Sequence, residues 1–146
     1  MFCQSIRRSS RSGRRRGVAT VEVAICLPVL LFFTLATMDL CSLLFLKETA
    51  TIAAYEAARQ GVGRGRTNAS ALARAQEFLD DRGVVYSPDA VVIEGPGFDD
   101  ADTLENVTVN VTLPCDGNLI APGGMYRGLT VTGRVTMRKE YANIDN

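Results

Sequence analysis

The sequence predicts an α+β protein: a long N-terminal transmembrane helix continuing into a small exported domain, where one amphipathic helix lies on an antiparallel β-sheet. Three observations carry this expectation. The stretch Val18–Leu46 is almost wholly apolar. Residues Asn68–Arg82 repeat their apolar side chains at helical spacing, and the last third of the chain alternates apolar and polar residues at strand spacing. At 146 residues there is room for one small domain beside the apolar segment, not two.

Charge gives the layout its direction. The net charge is zero, yet six arginines (Arg7, Arg8, Arg11, Arg14, Arg15 and Arg16) and no acid precede Gly17. Residues 17–146 therefore hold ten bases against sixteen acids. Next to an apolar run, such a leader is a topology signal rather than a nucleic-acid contact. Arg and Lys stay on the cytoplasmic side, so the expected arrangement is a single pass through the inner membrane with the C-terminal domain extracytoplasmic. Residues 1–17 are then a basic cytoplasmic leader, 18–46 the membrane helix, 47–66 a helical extension ending in a Gly-rich joint, and 67–146 the exported domain. A cleaved secretory signal ends its apolar core after about 7–15 residues. This one runs far longer, so removal on the outer side is not expected.

Two carboxylates constrain the membrane register. A span over Val18–Met38, 21 residues or about 31 Å of helix, buries Glu22 one turn deep and leaves Asp39 at the outer interface. Sliding it to Val23–Leu46 frees Glu22 and buries Asp39. The first register places the arginines at the inner boundary and is preferred. Pro28 removes a backbone donor inside the span, which predicts a mild kink.

Beyond the span, Ala50, Ala53, Ala54 and Ala57 form a stripe of small residues, with Glu48, Glu56 and Arg59 opposite. Such a helix-packing stripe permits close approach of a neighbouring helix. It serves equally well in a connector packed on its own domain. GVGRGR at 61–66 is a joint rather than a nucleotide loop, because Arg66 stands where a third glycine is needed and no strand precedes it. The next helix carries Ala71, Leu72, Ala75, Phe78 and Leu79 on one face and stops at Gly83. Short apolar runs follow at Val84–Tyr86 and Val91–Ile93. Val107, Val109, Val111 and Leu113 alternate with polar residues, and so do Leu129, Val131, Val135 and Met137, with Gly133 read as a bulge. The second helix is the most economical cover for one face of this sheet, with turns at Pro114–Asn118 and at 121–124. Asn68, Asn106 and Asn110 match the glycosylation sequon, although threonine there serves equally well as a strand residue.

The usual chemistries find little support. The chain has no histidine, so the commonest general base and metal ligand are missing, and no cofactor is implied. Of four cysteines only Cys115 falls in the exported region, which rules out an internal disulfide there. Cys115 is expected as a buried thiol, with an intermolecular bridge as the alternative. The acidic run Asp99, Asp100, Asp102 and Glu105 lacks the spacing of an EF-hand loop. It reads as a solvated loop, with weak calcium binding as the sharper alternative. Nothing in the exported region supports catalysis, and the chain reads as a non-enzyme.

The junction remains. Gly17 and Glu22 give G-x-x-x-x-E at a membrane boundary behind a basic leader. Glycine lets a protease approach the backbone, and cleavage there creates an α-amine at Val18. The Glu22 carboxylate, four residues on, is then available to that amine or to the amine of a neighbouring subunit.

With this junction the sequence resembles the TadE-like family, pseudopilins of the tight-adherence (Flp-type) pilus. The resemblance rests on Arg15-Arg16-Gly17, Val21-Glu22, Leu27-Pro28, Asp39 and Ala53-Ala54-Tyr55-Glu56-Ala57-Ala58-Arg59. Val23 follows Glu22 where processed members usually carry an aromatic residue. The resemblance implies a minor structural or assembly component of a pilus or secretion apparatus. A prepilin peptidase would process it, and other pilins would be its partners through the N-terminal helix. A reading from a different class is a bitopic membrane protein displaying a small binding module outside the cell.

Overall fold

The computed structural model describes residues 13–119 and 126–141, with the backbone alone for residues 13–16. The leader before residue 13 and the turn expected at 121–124 lie outside the described residues. The elements follow the order α1 (Gly13–Val62), α2 (Asn68–Asp81), β1 (Val91–Glu94), α3 (Gly97–Asp100), β2 (Asn106–Pro114) and β3 (Thr130–Arg138). This is an α+β fold with a three-stranded antiparallel sheet in the order β1-β2-β3.

The chain divides into two compact units between Thr37 and Met38. In the first, every side chain from Val18 to Thr37 is exposed. The helix is unbroken through Pro28. Hydroxyls within this apolar stretch are satisfied by the helix itself: Thr34 donates to the Leu30 carbonyl and Thr37 to that of Thr34, both at 2.8 Å. An apolar solvent offers no partner for a free hydroxyl, so this local pairing suits a lipid-facing helix.

In the second unit, α1 turns a small-residue face to the core from Leu46 onward. Ala50, Ala53, Ala54, Ala57 and Ala58 are completely buried, in one cluster with Val107, Val109, Val111 and Leu113 of β2. The alanine stripe is thus spent on the domain's own sheet. Of the two readings left open by the sequence, the structure takes the packed-on-itself one. The second helix is not the only cover of the sheet: α1 lies on it as well, and α2 adds Ala71, Ala75 and Leu79.

Gly133 explains how close that packing is. It is no bulge, since it pairs in continuous register with Val111. A Cβ at this position would overlap the main chain of Ala50 and Thr51. Glycine on the strand and alanine on the helix together let the backbones meet.

Local signals set the remaining elements. Thr67 caps α2 by accepting from the Ser70 amide at 3.2 Å, and the Ser70 hydroxyl returns the contact by accepting from the Thr67 amide at 3.1 Å. Gly83 ends the helix with φ +62°, a conformation that glycine adopts without strain. Val84–Tyr86 forms no strand. Asn118 holds it instead, accepting from the Val85 amide at 2.9 Å and donating to the carbonyls of Val85 and Pro114 at 2.8 Å. Leu129 precedes β3 and is exposed, and Gly133 is the buried position of that strand.

The acidic run is more structured than a solvated loop. Phe98 is buried in the one-turn α3 and would be displaced by any side chain at Gly61. Asp99 accepts from the Asn68 amide at 3.2 and 3.3 Å, placing negative charge at the N-terminus of α2. Among the described residues no group of three or more potential ligands converges for a metal ion.

Candidate functional site

Gly17 and Val18 lie inside α1 rather than in a loop. Among the described residues nothing approaches within 4 Å of where a Cβ of Gly17 would sit. A protease that takes its substrate extended must unwind this turn. Glycine makes that easier than alanine would, by about 0.5–1 kcal/mol.

Glu22 follows four residues after Val18 on the same helix, about 6 Å along its axis. It is exposed, and makes no hydrogen bond or ion pair among the described residues. A carboxylate in an apolar helix without an internal partner is costly in lipid, about 2.5–3.5 kcal/mol for a charge at mid-span on insertion scales. Nothing among the described residues offsets this.

Asp39 behaves differently. It is 6% exposed although it stands just past the apolar stretch. The Tyr126 hydroxyl donates to its Oδ2 at 3.5 Å. Burial raises the Tyr126 pKa above its usual value, and the Asp39 charge, the hydrogen bond to it, and Cys115 raise it further. Asp39 therefore ties α1 to the segment entering β3. Cys115, 1% exposed, has its thiol pKa raised by burial, so an intermolecular bridge through it requires the domain to open.

Sequence reasoning missed Lys139. Its side chain is fully buried, and Nζ donates to the carbonyls of Gly61 at 3.0 Å, Arg66 at 3.3 Å and Gly63 at 3.5 Å. It donates to carbonyls at and just beyond the end of α1, of which that of Gly63 also accepts from the Arg66 amide, and sets a positive charge where the helix dipole is negative. Burial lowers its pKa, and Asp99 partly opposes that. A lone lysine after a strand carries no sequence signal for such a role. Tyr126 was missed for the same reason, since its partner is 87 residues away.

Among the described residues one helix is long and apolar enough to cross a membrane, within Gly17–Val62. The described residues thus define the class of an N-terminal apolar helix followed by an α+β domain. Residues 17–59, less than a third of the chain, match the model of the TadE-like protein family. The matched region holds Gly17, Glu22, Pro28, Asp39 and the alanine stripe, and ends before α2. No curated protein and no solved structure matches the chain. The match and the apolar helix together support a membrane-anchored protein related to the tight-adherence pilus.

Proposed function

We propose that the protein is a pseudopilin-like subunit: a minor structural or assembly component of a tight-adherence pilus or a related secretion apparatus. The observation that carries this reading is Glu22, a carboxylate in an apolar helix with no partner among the described residues. Cleavage after Gly17 by a prepilin peptidase frees an amine at Val18, and Glu22 pairs with that amine in its own chain or in an adjacent pilin. The span is Val18–Met38, with the N-terminus cytoplasmic and the head extracytoplasmic. The arginines of the leader support this orientation. Because Ala50, Ala53, Ala54 and Ala57 are buried in the head, partner helices meet the subunit along the apolar stretch before Met38. The role is structural, with no catalytic step.

The test uses three proteins: wild type, Glu22→Leu and Gly17→Leu. Wild type should lose its leader by mass and co-purify with partner pilins. Glu22→Leu should stay in the membrane but lose partner association. Gly17→Leu should keep its leader and show the same assembly defect. Retention of the leader in wild type, with normal association in both variants, overturns the proposal and leaves a bitopic anchor for an outer binding module.

A further inference from the structure

The two edges of the sheet are not alike. β1 offers only four residues, is flanked by Pro88 and Pro96, and lies beside α2. β3 runs nine residues in continuous register with β2, without proline or bulge. Hydrogen bonds at its two ends set which way its backbone faces. The Cys115 amide donates to the Leu129 carbonyl at 2.9 Å, and the Lys139 amide to the Glu105 carbonyl at 2.7 Å. Odd-numbered residues of β3 therefore bond to β2, and the amides and carbonyls of Thr130, Thr132, Arg134, Thr136 and Arg138 face away. All five residues are exposed, and none of these backbone groups bonds to another described residue. Proteins blunt a sheet edge with a short strand, a proline or a cover, as β1 is blunted here. Among the described residues β3 is an open template.

Charge decides what this template takes. Residues 17–146 carry ten bases against sixteen acids, yet residues 126–138 hold Arg127, Arg134 and Arg138 and no acid. Glu94 meets Arg134 at 3.0 Å, whereas Arg138 has no ion pair among the described residues. A second copy is a poor occupant. Two β3 strands paired antiparallel over their full length set Arg134 directly opposite its own copy, and like charges so placed are destabilising. The outer face of the edge, with its threonines and arginines, suits carboxylates instead. Its inner face carries Val131, Val135 and Met137, half-buried against the core, which suit aliphatic side chains.

We propose that the open edge of β3 docks an extended segment of another protein in which acidic and aliphatic residues alternate. The segment pairs antiparallel with β3 as a fourth strand, bonding to the outward amides and carbonyls of the five exposed residues. Its acidic side chains lie on the outer face beside Arg134 and Arg138. Its aliphatic side chains continue the inner face beyond Val135 and Met137. Directly opposed residues of an antiparallel pair share a face, so the amides that the segment turns to β3 are those of its acidic residues. The inference concerns the second unit alone and does not depend on cleavage at Gly17 or on the pairing of Glu22.

The test titrates the full chain in detergent micelles into fluorescein-labelled peptides as long as β3 and reads their anisotropy. A peptide alternating valine and glutamate should bind about tenfold more tightly than one alternating valine and lysine. Methylating the glutamate amides of the first peptide should abolish binding, whereas methylating its valine amides should leave binding intact. Arg138→Glu should reverse the preference between the two charge patterns. Thr136→Pro, which removes an outward amide without touching the ladder to β2, should weaken binding of the valine–glutamate peptide about tenfold. Arg64→Gln, an exposed arginine in the turn after α1, should bind as wild type does. Circular dichroism checks that each variant is folded, and the methylated peptides test the proposal on wild type even if Thr136→Pro unfolds. Equal affinity for the two charge patterns, or undiminished binding of the peptide methylated at glutamate, overturns the inference. So does a wild-type dimer in sedimentation that Thr136→Pro dissociates, since a second copy is then the occupant.

Discussion

The contact between Gly133 and the backbone at Ala50 gives the most demanding test of how the head is held together. In Gly133→Ala the new methyl group has no side chain to push aside, because its neighbours are the carbonyl carbon and oxygen of Ala50 and the amide of Thr51. Either β3 moves off the helix or the helix moves off the sheet. Both open the interface along Ala50, Ala53, Ala54 and Ala57, which are all completely buried. Overpacking of a close-packed interior costs about 1–3 kcal/mol, and a rigid main-chain neighbour places this site at the upper end, about 3 kcal/mol. For a domain of this size that lowers Tm by about 10–20 °C. The full chain in detergent micelles, followed by urea and thermal unfolding, reads the effect directly. Gly128→Ala is the contrast: Gly128 has φ +81° but nothing within 4 Å among the described residues. It should cost only the strain of that conformation, about 1–2 kcal/mol. A Gly133→Ala variant within about 0.5 kcal/mol of wild type, the range of ordinary surface substitutions, would refute the close-approach reasoning.

Other consequences can be checked in the same preparation. Lys139→Met should destabilise the head by about 3 kcal/mol by leaving carbonyls at the end of α1 without their donor. The Lys139 pKa is lowered in the folded state from 10.5, so the native protein binds that proton less tightly than the unfolded chain. Its contribution to stability should rise as pH climbs from the lowered value to 10.5, and Lys139→Met should lack that rise in urea titrations at alkaline pH. Tyr126→Phe should cost about 1 kcal/mol through loss of the donor to Asp39. Cys115 should resist alkylation in the folded protein and react once urea unfolds it; rapid labelling under native conditions would contradict its burial.

The sequence alone determined the elements whose causes are local. Continuous apolar residues after a basic leader define the long helix, whatever lies beside it. The period of Ala71, Ala75 and Leu79 fixed the second helix, and the alternation of Val107, Val109 and Val111 fixed the central strand. These are repeats of 3.6 and 2 residues that side-chain geometry imposes on any helix or strand. Gly17, Glu22 and Asp39 drew notice in the sequence because a charge or a glycine in or beside an apolar run is conspicuous in the letters themselves. Tertiary structure decided everything that depends on a distant partner. Whether the alanine stripe met a foreign helix or its own sheet turned on Gly133, more than 80 residues away and interpretable in the sequence only as a bulge. Lys139 became a cap, and Tyr126 a partner for Asp39, only when the last strand returned to α1. Such contacts join residues with no shared period, and close approach of two backbones leaves no trace beyond a small residue at each end.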